Sequence, residues 1–152
     1  METQHVISAL NRILALEYAG IIQYSQHRFL VQDLFREVYT DYFRDSSREC
    51  HGHAHQVGEM ISDLGGVPTV EPASIRQATE LAEMLQQDLA LEREALQAYL
   101  EAIDAAADHA PLRQTLEHMA DAEQRAVWHL EKILQQKDFT LTAKEVRLQQ
   151  TR

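Results

Sequence analysis

Four stretches of this chain repeat apolar residues at three- and four-residue steps, and little interrupts them. In the first, Val6, Leu10, Ile13, Leu14, Ile21, Tyr24 and the Arg28–Phe29 pair follow one helical face. The second carries Val38, Tyr42, Ser46, His53, Val57, Met60 and Leu64, and the third Leu81, Leu85, Leu89, Ala95, Tyr99 and Ile103. Leu112, Leu116, Met119, Val127, Leu130 and Leu134 mark the fourth. Such a chain has to bury four stripes against one another, and a four-helix bundle does so compactly. With five glycines and three prolines in 152 residues, helix breakers are scarce. The expectation is an all-α protein of one domain, 1–152, with helices over about 4–32, 36–64, 79–107 and 111–136 and a polar tail over 137–152.

The breaks set the topology. "GGVPTVEP" ends the second helix, with Gly65 and Gly66 as C-cap signals and Pro68 and Pro72 beyond. "AAADHAP" ends the third, and Pro111 suits the first turn of the fourth. The link "QDLFRE" holds neither Gly nor Pro, so the first boundary is the least marked. If the third helix starts near Thr79, about fifteen residues precede it and reach roughly 50 Å, more than the roughly 36–40 Å of a 25-residue helix. A crossover along the bundle is then open to the chain. If Ser74 caps the helix in a box with Gln77, the connection is too short and simple up-down topology results.

Four ionisable side chains stand on these apolar stripes: Glu17, His53, Glu92 and Glu123. An inward glutamate can snorkel to a bundle end or answer a buried arginine, and a lone core histidine is often only hydrogen-bonded. Three buried carboxylates, however, need compensating charge. Their heights also agree. Glu92 and Glu123 straddle the "AAADHAP" turn symmetrically, and Glu17 and His53 straddle the link at Phe35, so each antiparallel pair meets at one level. Oxygen and imidazole ligands in a bundle core suit iron or manganese, with other divalent ions such as zinc open.

The chain resembles the bacterioferritins, within the ferritin-like di-iron family. "LNRILALEYAGIIQYSQH" is similar to the family's first helix, "HAHQVGEMISDLGGVP" to the end of its second and "MLQQDLALEREA" to its third. The resemblance implies the long crossover between helices 2 and 3, homo-oligomers from dimers to shells, iron storage or detoxification, and a ferroxidase centre. The family's ligands fall on Glu17, His53, Glu92 and Glu123, with Tyr24 close by. Two ligands of the pattern are replaced. Cys50 stands where the second helix carries a glutamate, and Ala126 stands where the fourth carries a histidine. Glu49, four residues before His53, is a candidate substitute. Cys50 is another, as a thiolate ligand, which also opens a softer-metal reading; a small buried apolar residue is its plainer role. The resulting expectation is an incomplete dinuclear site that holds one or two irons and oxidises them slowly if at all. The alternative is a ferritin-like scaffold without a metal centre.

His51 and His55 lie four apart on a face pointing away from His53; a surface pair of this kind is usually only solvated. His51 also occupies the place where bacterioferritins carry the methionine that ligates haem at a subunit two-fold. Histidine is a competent haem ligand, but the replacement counts against haem. His27, His118 and His129 read as surface or capping residues, and Trp128 as a seal on a core or interface. The tail lacks the apolar residues of a fifth helix, which points to a smaller oligomer. A net charge of −10 argues against non-specific nucleic-acid binding and against anionic membranes. A single cysteine, no signal-peptide pattern and no run of about 18 uncharged apolar residues make a cytoplasmic protein the default.

Overall fold

The computed structural model describes residues 2–139. Four helices fill it: α1 (Thr3–Leu30), α2 (Arg36–Asp63), α3 (Leu81–Ala105) and α4 (Ala110–Phe139), with a short 3-10 turn at Asp33–Phe35 between the first two. Against the expected bounds, α1 ends two residues earlier at Leu30, α3 starts at Leu81, and α4 runs three residues past the expected end. Most of the expected polar tail, residues 140–152, lies outside the described residues.

Side-chain pairing fixes the directions. Along α1, Glu17 meets His53 and Ser25 meets Ser47, so α2 runs antiparallel to α1. His27 meets Asp88, Tyr24 meets Glu92 and Glu17 meets Tyr99, so α3 is also antiparallel to α1. Helices α2 and α3 are therefore parallel, and residues 64–80 travel the length of the bundle between them. The crossover climbs α1 in step. Asn11 bonds the Val67 carbonyl and the Thr69 N–H, the Ala15 carbonyl accepts from Ala73 N–H, and Gln23 Oε1 accepts from Arg76 N–H. No helix forms at Ser74, because these bonds hold that stretch extended along α1.

Helix ends follow their local chemistry. Gly65, at φ 82°, follows α2, its N–H reaching the Ser62 carbonyl while Gly66 N–H reaches that of Ile61; this is the paired bonding of a Schellman cap. An added Cβ on Gly66 would lie 2.8 Å from Ile7, so the turn also needs a small residue there. The unpunctuated link turns at Asp33, in the left-handed region at φ 63°, a conformation aspartate tolerates better than most residues. Arg36 then donates to the Val31 carbonyl at 2.9 Å and steadies the end of α1. His109 Nδ1 accepts from Leu112 N–H at 3.2 Å, capping α4.

The core has two apolar halves. One gathers Val6, Leu10, Ile13, Leu14, Val57, Ile61, Ala102 and Leu116; the other gathers Tyr24, Phe43, Met84, Leu85, Val127 and Leu130. Glu17, His53, Glu92 and Glu123 occupy the level between them. Two stripe assignments are corrected. Phe29 is 64% exposed and His27 is wholly buried, so the inward face of α1 reaches its end through His27 rather than the Arg28–Phe29 pair. Val38 is 69% exposed, and Phe43 fills the core instead. By length and composition α1 is apolar enough to cross a membrane, yet half of its apolar window is buried inside the bundle, as expected of a core helix.

Candidate metal centre

Each helix contributes one ionisable side chain to the middle level: Glu17 from α1, His53 from α2, Glu92 from α3 and Glu123 from α4. All four are buried, at 2%, 8%, 7% and 4% exposure. His53 Nδ1 lies 3.2 Å from Glu17 Oε1 and 3.0 Å from Glu123 Oε1. The three residues present ligand atoms that all lie within 4.8 Å of one another. Tyr99 donates to Glu17 Oε1 at 2.8 Å, and Tyr24 donates to Glu92 Oε1 at 2.6 Å. Those tyrosines hold the carboxylates in place by hydrogen bonds, as partners of metal ligands commonly do; Tyr99 shares Glu17 Oε1 with His53.

The charges are out of balance without an added cation. Burial and then the charge of Glu123 push the Glu92 carboxyl well above its ordinary range, and the two glutamates share a hydrogen bond, which requires a proton on one of them. Burial and the charge of Glu17 also raise Glu123, against the opposing effect of its bonds to Glu92 and His53. Burial disfavours the charged form of His53, but its hydrogen bonds to Glu123 and Glu17 and their charges outweigh this and push it up to about 10. The cluster therefore holds protons where a cation fits, and its hard oxygen and imidazole donors suit iron.

Cys50 faces the same level but as a neutral wall. Burial, followed by the charges of Glu17, Glu92 and Glu123, raises its thiol far above its ordinary range, so a metal would have to displace its proton first. Its Sγ fills the space beside Gly20, where a Cβ would stand 2.5 Å from the sulfur. Glu49 is exposed at the mouth of a narrow gap between α2 and α4 that is lined by Ser46, Cys50, His53, Glu92, Glu123 and Ala126. It is not among the three converging residues. His51 lies on the exposed face of α2 with His55, away from the cluster.

A second polar cluster escaped the reading of the sequence. Gln23, His27 and Asp88 are each fully buried. Asp88 accepts from Gln23 Nε2 at 2.9 Å and bonds His27 Nδ1 at 3.0 Å, while His27 Nε2 lies 3.3 Å from Gln87 Oε1. Burial raises the Asp88 carboxyl, against these two bonds. His27 is thus neither a surface nor a capping residue. A signal was present: His27 stands three residues after Tyr24, and Asp88 stands four before Glu92, both on inward faces. Of the other residues singled out, His118 and His129 are exposed as expected, and Trp128 is 55% exposed and seals no core in this chain.

Known proteins carry the same architecture. A protein from Bacillus anthracis described as a ferritin-like, diiron-carboxylate protein superposes with a TM-score of 0.85 at 31% identity, covering 87% of this chain and 96% of its own. A bacterioferritin from Rhodobacter capsulatus, described with a metal-free dinuclear site and a haem iron, superposes at 0.80 with 31% identity, covering 88% and 85%. The bacterial ferritin of Pseudomonas aeruginosa is 32% identical over 133 residues, 85% of this chain and 86% of that protein. A nutrient stress-induced DNA-binding protein of Synechococcus is 33% identical over 101 residues, 60% of this chain, and the match spans 57% of that protein's length. The ferritin-like domain model matches residues 7–139, the whole four-helix core, and the chain belongs to that family.

Proposed function

We propose that this protein is a bacterioferritin-like iron-binding protein whose interior centre takes Fe(II) as cargo. One observation carries the reading: Glu17, His53 and Glu123, from three different helices, bring ligand atoms within 4.8 Å in a buried, proton-loaded cluster. These three hold the first ion, with His53 Nδ1 as the nitrogen donor. Glu92 serves a weaker second position, with Glu49 at the mouth and Cys50 in the wall as the groups nearest to completing it. Relative to the bacterioferritin pattern, Cys50 and Ala126 leave that position short of a carboxylate and a histidine. Two-electron oxidation needs paired irons, so turnover with O2 is slow or limited to single-ion binding. The role is iron storage or detoxification. Haem is left out, because His51 stands in place of the family's methionine.

The protein works as a homo-oligomer in a reducing compartment. Support for self-association comes from Val67 and Val70, 83% and 84% exposed, and Ile22, 46% exposed; Val70 and Ile22 share a groove with Tyr18, Ile21 and Pro72. DNA binding, in the name of the Synechococcus relative, is not carried over, since a net charge of −10 repels phosphate.

Anaerobic Fe(II) titration of the metal-free protein, followed by O2, tests the proposal with His53→Ala alongside. One tightly held iron per chain, lost in the variant, is the expected result. Two irons with rapid oxidation would show that the missing ligands are replaced. Absence of His53-dependent binding sinks the metal reading and leaves a ferritin-like scaffold. That second reading is favoured by one feature: the proton shared by Glu92 and Glu123 and the charge on His53 offset part of the carboxylate charge without an ion.

A further inference from the structure

Between α2 and α4 a narrow gap leads from solvent to the interior cluster. Glu49 stands exposed at its mouth, Ser46 and Ala126 are half-buried along it, and Cys50, His53, Glu92 and Glu123 are buried around its floor. The free volume is about 10 Å3, room for a single water. Glu17, held by Tyr99, does not line it. Four larger cavities among the described residues touch none of the cluster's four side chains. The gap also shares no residue with the apolar groove of Tyr18, Ile21, Ile22, Val70 and Pro72 that supports self-association. Among the described residues Glu49 makes no hydrogen bond or ion pair, so its carboxylate is free to meet a cation.

We propose that this gap is the passage by which a divalent ion enters and leaves the interior, with Glu49 as the capturing carboxylate and Ala126 as the residue that keeps the way open. The proposal rests on the reading of the cluster as a metal centre. A carboxylate at the mouth concentrates cations where a chain of net charge −10 already attracts them. It also replaces one water of the hydrated ion with an oxygen. The Ser46 hydroxyl offers the next oxygen, and Glu92 and Glu123 follow, so the hydration shell is exchanged stepwise. Losing it at once in so narrow a gap costs far more. A methyl group at position 126 leaves this space free, and a longer side chain there fills it. Glu49 therefore sets the rate of loading, whereas the residues of the cluster set its equilibrium.

Stopped-flow mixing of the full-length metal-free protein with Co2+, followed by release of the bound ion to excess EDTA, tests the passage. The comparison uses wild type, Glu49→Gln, Ala126→Leu, Ala126→Ser and His53→Ala. Glu49→Gln and Ala126→Leu are each expected to slow loading and release together, roughly tenfold. Their equilibrium affinities should stay within about twofold of wild type, and Ala126→Ser should exchange at the wild-type rate. Glu49 is exposed, so an unchanged metal-free melting temperature confirms that Glu49→Gln folds. A roughly tenfold loss of affinity in Glu49→Gln makes that residue a ligand and overturns its capturing role. Wild-type rates in both Glu49→Gln and Ala126→Leu overturn the passage even where His53-dependent binding stands. Binding that is absent, or that survives His53→Ala, overturns the interior centre and the passage with it.

Discussion

The Gln23–His27–Asp88 cluster and the Glu17–His53–Glu92–Glu123 cluster both bridge α1 and α3, and both are shut away from water. Asp88 and Glu92 are a single turn apart on α3. In the first cluster one carboxylate meets one imidazole and one amide, and the amide's other end holds the crossover through Arg76 N–H. Its donors and acceptors match without help. In the second, three carboxylates face one imidazole, and a glutamate must keep a proton to coexist with its neighbour. Matched buried polar groups fix a structure, whereas a surplus of one sign attracts the other. That difference separates a structural tie from the proposed site.

The comparison can be broken at either end. The largest effect is expected from His27→Ala or Asp88→Ala. Each strands a buried partner, costing about 3–5 kcal/mol and roughly 10 °C in Tm by calorimetry; a loss below about 1 kcal/mol would show that the tie is ornamental. Next comes metal itself. Fe(II) under anaerobic conditions, at about 100 times its Kd, should stabilise the wild type by ~2.7 kcal/mol, and the gain should vanish in His53→Ala. A smaller gain, without metal, is expected for Glu92→Gln. It removes the need to hold a proton between Glu92 and Glu123 and keeps a bond to Tyr24, so the metal-free protein should hold or gain about 1–2 kcal/mol while binding of a second ion weakens.

The least conspicuous effect is on pH. The fold raises His53 from 6.5 to about 10 and raises Glu92 and Glu123 as well, so the folded state binds more protons than the unfolded chain. The contribution of His53 is complete below about pH 6.5 and is lost as pH rises through about 10. Metal-free melting temperatures should therefore fall between pH 7 and 10, less steeply in His53→Gln. Metal affinity should move the opposite way, rising with pH as protons leave the ligands. A flat metal-free profile would refute the charge assignment.

Much of this was legible in the sequence because helical spacing and turn symmetry are one-dimensional facts. Glu92 and Glu123 could be set at one height from the position of "AAADHAP" alone, and Gly65 announced its cap. The crossover was a choice between two lengths, and the choice is made by backbone bonds from Asn11 and Ala15, which no periodicity encodes. Apolar spacing alone carries the α1 stripe through Phe29, the more apolar residue, and leaves His27 outside it. Burial at that end is decided by a polar partner, Asp88, sixty-one positions away. The sequence offers Cys50 as a possible ligand but not the reason for its small size. It shares its space with Gly20, and that contact between α1 and α2 exists only in three dimensions. Glu49 has the spacing to join His53, yet its side chain stays at the exposed mouth.

The long crossover has one more consequence. It divides the molecule into two helical hairpins, α1 with α2 and α3 with α4. The first hairpin carries Glu17 and His53, the second Glu92 and Glu123. An ion at the proposed centre would therefore stitch together two halves that the chain itself joins through one extended crossover. Cut within residues 67–72, the protein becomes a pair of complementary fragments, and their reassembly should depend on the metal that each half can only partly hold.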